Sequence, residues 1–201
     1  TPVHFVMGPG VNQPANVHMA TDQTDFALSL DQLSEEMPGV GAVSLVVSWF
    51  GDDLRCGQCS IRPKVEQKVV DGVGMPWRSG GIARAAAVEV PKVGGRSVYG
   101  GTPCDQSVIE AVQALNAAGK AVTFYPFILM DQLDGNTLVD PWSDTAGQPA
   151  FPWRGRITTS LAPGVAGSPD LSATAAAEVA SFFGTATAAP HVLHLGHARQ
   201  G

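Results

Sequence analysis

Two near-continuous apolar runs constrain this chain more than any other feature: Ala42-Val43-Ser44-Leu45-Val46-Val47-Ser48-Trp49-Phe50 and Ala121-Val122-Thr123-Phe124-Tyr125-Pro126-Phe127-Ile128-Leu129. Both are rich in β-branched and aromatic residues, and runs of this length suit strands buried on both faces of a parallel sheet. Each follows a helical signal. Ahead of the first, Thr24-Asp25 offers side-chain oxygens to the free N–H groups of a helix start. Phe26, Leu30, Leu33 and Met37 then share one helical face, and Pro38-Gly39 stops the helix. Ahead of the second, Thr102-Pro103 precedes a helix with Val108, Ile109, Val112 and Leu115 on one side, closed by Ala117-Ala118-Gly119. Helix-then-strand, repeated, predicts two parallel strands joined by a right-handed crossover. Pro126 cannot donate to a ladder and predicts a bulge or the start of a loop.

The rest of the chain is loop-rich: it holds 23 Gly and 15 Pro, and only 15% of its residues are charged. The predicted map places an extended lead-in over residues 1–23 with a turn at Gly8-Pro9-Gly10, and the two helix–strand units over 24–50 and 102–130. An insertion lies between them over 51–101, with a short helix near Ile82 to Val90. Loops and a helix follow over 131–184, with a short strand at Gly155 to Ser160 and the helix at Ala173 to Phe183. The tail, 185–201, shows no period. Two strands cannot close a barrel, and an eight-stranded one takes about 250 residues. The fold class is therefore α/β, read as the opening part of a TIM-barrel-like domain with long loop insertions; a small α/β domain with large loops is the alternative. The start at Thr1, without an initiator Met, suggests a fragment or a processed chain.

A net charge of -6 with scattered Lys and Arg argues against nucleic acid as the main partner. No apolar run reaches the roughly 18 residues of a membrane-spanning helix. Cys56 and Cys59 have the spacing of half a zinc site, but the other half is missing. His191, His194 and His197 recur every third residue in a stretch whose Pro190 and Gly196 oppose a stable helix. A local disulfide or two reduced thiols is the preferred reading, and no cofactor is expected.

In parallel α/β folds, ligands gather at the carboxyl ends of the strands. The first strand carries Trp49, Asp52 and Asp53 toward that edge, and the second carries Tyr125 and then Asp131. Carboxylates beside aromatic rings suit a sugar: rings pack on the apolar pyranose face, and paired carboxylates serve as acid and as nucleophile or base. The plainer reading is that one of Asp52 and Asp53 orients the next segment and the other is solvated. Trp77, Trp142 and Trp153 each follow Pro and could line a groove, but pinning long loops to the scaffold is the preferred role for each.

Five blocks carry a resemblance: Val43 to Cys56, Arg62-Pro63-Lys64-Val65-Glu66, Val98-Tyr99-Gly100-Gly101-Thr102-Pro103, Gly119 to Phe127, and Pro152-Trp153-Arg154-Gly155-Arg156-Ile157-Thr158. In this order, from about residue 1 to Gly184, the chain resembles the large baseplate protein of gene transfer agents and related siphophages. That family is often called the megatron, and part of it is identified as a glycoside-hydrolase TIM-barrel-like domain. The resemblance implies a tail-tip location in a virion or virus-like particle. It also implies contact with hub and distal tail proteins, and recognition of host cell-surface or cell-wall glycan, with hydrolysis of that glycan as the alternative. Family acids and nucleophiles commonly come from later strands, so no catalytic pair carries over. The tail from Thr185 onward departs from the family pattern.

Overall fold

The computed structural model describes residues 1–184. The lead-in forms a hairpin of β1 (His4–Gly8) and β2 (Val11–Pro14), turning at Gly8-Pro9-Gly10. Helix α1 (Asp25–Glu36) starts where the Thr24 side chain accepts a hydrogen bond from the Ala27 N–H. Its predicted apolar face is only partly used: Leu30 and Leu33 are half-buried, while Phe26 and Met37 stay exposed. Strand β3 (Ala42–Gly51) follows.

The second unit repeats the order. Helix α2 (Asp105–Ala117) is capped by the Cys104 thiol, which accepts from the Ser107 N–H, and it buries Ala111 and Leu115. Gly119, at φ 71°, adopts the left-handed conformation that releases the chain into β11 (Ala121–Met130). Strands β3 and β11 pair in parallel without a break, Ala121 opposite Ala42 through Met130 opposite Gly51. At the near end, the buried Lys120 donates from Nζ to the Val40 carbonyl, tying both strand starts together.

Two expectations fail on this sheet. Pro126 makes neither a bulge nor a loop, because the ladder runs straight through it. The Ala121 N–H donates to Gly41 and the Asp131 N–H to Gly51, so odd-numbered residues of β11 face β3. Pro126 therefore turns its missing N–H to the free edge, where no bond is lost and the edge is blunted against further pairing. Nor are the strands buried on both faces. Along β3, Val43, Leu45 and Val47 are covered to differing degrees, while Ala42, Ser44 and Val46 are exposed. α2 packs on this part of the sheet, yet in β11 the residues Thr123 to Pro126 are exposed on both faces; burial on both sides begins only near Phe50.

The insertion is a packed lobe of short ladders. It carries β4 (Ile61–Arg62), β5 (Lys64–Val65), β6 (Arg78–Ser79), β7 (Ile82–Ala83), β8 (Val88–Glu89), β9 (Lys92–Val93) and β10 (Arg96–Ser97). The helix expected at Ile82 to Val90 is absent: β7, a single 3₁₀ turn at Arg84–Ala86 and β8 stand in its place. β4 pairs with the end of β3, and β5 with β8 in parallel. Val65, Met75, Trp77, Ala87 and Cys104 pack into a buried cluster that joins the lobe to the start of α2.

Beyond β11, a small ladder joins β12 (Val139–Asp140) and β13 (Thr145–Ala146). The short strand expected at Gly155 to Ser160 is instead a 3₁₀ turn at Arg154–Arg156, with one isolated bridge from Thr158 to Arg55. Helix α3 (Ala173–Phe183) is capped by Ser172 and ends at Gly184. The chain is thus mixed α/β, and no closed barrel occurs among the described residues. No described helix is long and apolar enough to cross a membrane. The divergent tail, with His191, His194 and His197, lies outside the described residues.

Candidate functional site

The carboxyl ends of β3 and β11 lie side by side because the register is unbroken, and Gly51 leaves room there for the side chains of Met130 and Ile61. A Cβ at Gly51 would fall 2.8 Å from the Met130 sulfur and 3.2 Å from Ile61. Immediately beyond the paired ends come Asp52, Asp53 and Asp131, so the three predicted carboxylates do share one rim.

Each is engaged. Asp131 is buried, and Lys64 donates to it from Nζ in a contact also closed to solvent. Burial pushes the Asp131 carboxyl above its ordinary range; hydrogen bonding and charge from Lys64 pull it back, and the charge of Asp52 adds to the rise. Beneath the pair lies Phe50, wholly buried, with the Lys64 ammonium 5.9 Å from its ring centre. Tyr99 packs on Phe50 at 6.2 Å, and burial and the Asp131 charge raise its phenol. Asp52 accepts from the Ser60 N–H at 2.7 Å and meets Arg62 at 3.5 Å, so it orients the segment entering β4.

Asp53 is the most fully bonded. Its Oδ1 accepts from the Arg55 N–H and Nε and from Gln148 Nε2, and its Oδ2 from Arg55 Nη2. Burial works to raise this carboxyl, but the Arg55 and Gln148 hydrogen bonds and the Arg55 charge together outweigh it and hold it below its ordinary value. Gln148 has no freedom left: its Nε2 also donates to Val139, and its Oε1 accepts from the Leu54 N–H and from Gln132 Nε2. This chain of bonds fixes the Gln132 amide with Oε1 buried and without a donor among the described residues.

A carboxyl held low in the fold stabilises it above the unfolded value of 3.8, and that stability is lost as pH falls through the folded value. Asp131, held high, works in the opposite sense: its contribution is present below 3.8 and lost as pH rises through its folded value. Asp53→Asn should therefore cost about 1–3 kcal/mol near neutral pH and flatten the acid limb of stability. Urea unfolding from about pH 7 down to about pH 3 checks this; an unchanged acid slope would remove Asp53 from the account.

The predicted aromatic residues do not join this rim. Trp49 is half-buried on the face that carries Val47, with its ring against Gly80; a Cβ there would fall 2.7 Å from the indole. Gly80, at φ 55°, sits in the β6–β7 turn, and its N–H donates to Asp105. Trp49 thus pins the lobe to the sheet. Tyr125 lies six residues before Asp131, about 20 Å along the strand. Its hydroxyl accepts from Arg154 Nη2. The rings beside the carboxylates are Tyr99 and Phe50, and the cation is Lys64. Reasoning from sequence missed Tyr99, Lys64 and Gln148 as site members; the only signal was that Lys64 and Tyr99 fall within two of the distinctive blocks.

Cys56 and Cys59 do not act as a pair. Cys56 opens into a groove against Ile157 and Phe182, whereas Cys59 faces a second depression beside Arg62 and Ile82. Both are free thiols, and burial pushes each upward, away from thiolate chemistry. Among the described residues no group of three potential ligands could hold a metal ion. Of the three Pro-Trp residues, only Trp77 is a buried pin; Trp142 and Trp153 are 43% and 68% exposed. No family model matches the chain, and no curated protein matches it in sequence.

Proposed function

We propose that this chain is a segment of a phage-type or gene-transfer-agent tail tip, the opening part of a TIM-barrel-like domain, that recognises host cell-surface or cell-wall glycan. The ordered blocks of resemblance motivate the tail-tip location and the hub and distal tail proteins as partners. The observation that carries recognition over cleavage is the state of the rim: Asp52 and Asp131 are paired with cations, and all the acceptor capacity of Asp53 is directed inward. Groups so tied orient a surface well and attack a bond poorly. Exposed Tyr125, Trp142 and Trp153 supply ring faces of the kind that pack on sugars.

One observation favours glycoside hydrolysis as a second reading. A buried carboxyl held high near a second carboxylate, Asp131 near Asp52, is the arrangement that separates a general acid from a base. Incubation of cell-envelope glycan with the parent chain decides between the two, no released sugar excluding hydrolysis; if sugar is released, undiminished release by Asp52→Asn and Asp131→Asn excludes both residues from catalysis.

The location is tested by immunogold labelling of purified particles with an antibody to residues 1–184. Label confined to one end of the tail is the expected result. Antigen present in the producing cells but missing from the particles would overturn the proposal.

A further inference from the structure

The two outer edges of the β3–β11 ladder are unlike. On β11 the free edge carries Pro126, whose missing N–H faces outward and blunts it. On β3 the odd-numbered residues bond to β11, so Ala42, Ser44, Val46 and Ser48 turn their N–H and C=O groups to the other side. β4 takes that side only at Phe50 and Gly51. Among the described residues, nothing pairs with the outward backbone groups of Ala42, Ser44 and Val46. The run from Ala42 to Phe50 also holds no charge and no proline, and its ladder has no bulge. Those are the usual guards of an exposed edge.

The approach to this edge is open. Ala42, Ser44 and Val46 are exposed, Val46 at 51%. At the start of the strand, a Cβ on Gly39 or Gly41 would meet nothing within 4 Å. The element that satisfies a row of alternate N–H and C=O groups is another strand. This edge is complementary to itself about a two-fold axis, because the same residues donate and accept. An axis at Ser44 sets Ala42, Ser44 and Val46 opposite Val46, Ser44 and Ala42 of a second copy, each pair exchanging both its bonds. The pairing ends short of Arg62, which occupies the edge at Phe50. On the other face, the half-buried Val43 and Leu45 of one copy lie beside Leu45 and Val43 of the other. No like charges are brought together.

We infer that the free edge of β3 is a dimer interface: a second copy of this chain adds its own β3 antiparallel along Ala42 to Val46, joining the two sheets into one. Pro126 blunts the outer edge of β11, so addition closes at two copies instead of running on as a fibre. The inference goes beyond the tail-tip reading and does not depend on it.

The test is sedimentation equilibrium of the 201-residue chain over micromolar to submillimolar concentrations. The mass should rise from 20.9 kDa toward twice that value as concentration increases, since so short an interface associates weakly. Ser44→Pro removes an outward N–H without touching the bonds to β11 and should hold the mass at 20.9 kDa, with circular dichroism confirming the fold. Ser44→Lys and Ser44→Glu test the register without constraining the backbone. Each alone sets like charges opposite one another across the axis and should stay monomeric, and an equimolar mixture should recover the doubled mass. A parent chain that stays at 20.9 kDa throughout overturns the inference and leaves the edge to a strand of a different protein. A dimer that persists in Ser44→Pro and in both charged variants overturns the assignment to β3. A mixture that stays monomeric overturns the axis at Ser44.

Discussion

Lys64→Met should destabilise the chain by about 3–5 kcal/mol, because it leaves the Asp131 carboxylate buried without its cation. Both side chains are nearly closed to solvent, at 7% and 4% exposure, so water cannot take over the lost partner. Part of the cost should be relieved by protonation of Asp131, whose carboxyl is already held high by burial. The loss should accordingly be smaller in acid than at neutral pH. Replacing both partners, Lys64→Met with Asp131→Leu, removes two desolvated charges at once and should recover most of the stability. Denaturant unfolding of the two singles and the double completes a mutant cycle. A loss below about 1 kcal/mol for Lys64→Met would place the pair among solvated surface bridges and deny it any part in holding the rim together.

Trp77→Ala should cost about 3–5 kcal/mol, the range for deleting a large aromatic side chain from a packed core. The indole is 7% exposed, sits among Val65, Met75, Ala87 and Cys104, and donates from Nε1 to the Thr102 carbonyl at 2.7 Å. Trp77→Phe keeps much of the packing and leaves that carbonyl without its donor, so about 1–3 kcal/mol should be lost. Limited proteolysis should then cut first within residues 51–101. The prediction bears on function as well as stability. Lys64 reaches Asp131 from this lobe, and Gly80 of the lobe seats Trp49, so loosening it should disturb the rim from two sides. Unfolding of Trp77→Ala that matches the parent chain would show that the lobe lies outside the cooperative unit.

Helices α1, α2 and α3 and strands β3 and β11 were legible from local patterning. Each carries its own signal, either side-chain oxygens at a helix start or an apolar run of strand length, and their bounds agree with the structure to within a residue or so. The lobe was not legible. Its strands are two residues long, too short for any period, and β5 finds β8 more than twenty residues away. Pro126 was misread because a proline on a buried strand and one on an edge strand look alike in sequence; only the register tells which way the missing N–H points.

The candidate site divides along the same line. The barrel rule brought Asp52, Asp53 and Asp131 to one rim because a repeated helix–strand order makes the two strands parallel, and parallel strands end at the same edge of the sheet. Their partners were out of reach: Lys64 is 67 residues from Asp131, and Gln148 is 95 from Asp53. The partners of Arg154 are remote as well: the Phe127 ring and the Tyr125 hydroxyl come from β11, not from its own segment. By itself, then, the amino-acid order determined the helices, the two long strands and the end of the sheet at which carboxylates gather. Tertiary structure alone decided which charges neutralise one another, which aromatic rings are pins and which are open, and which sheet face is covered. Periodicity and capping act over a few residues, whereas burial and ion pairing depend on neighbours supplied by remote parts of the chain.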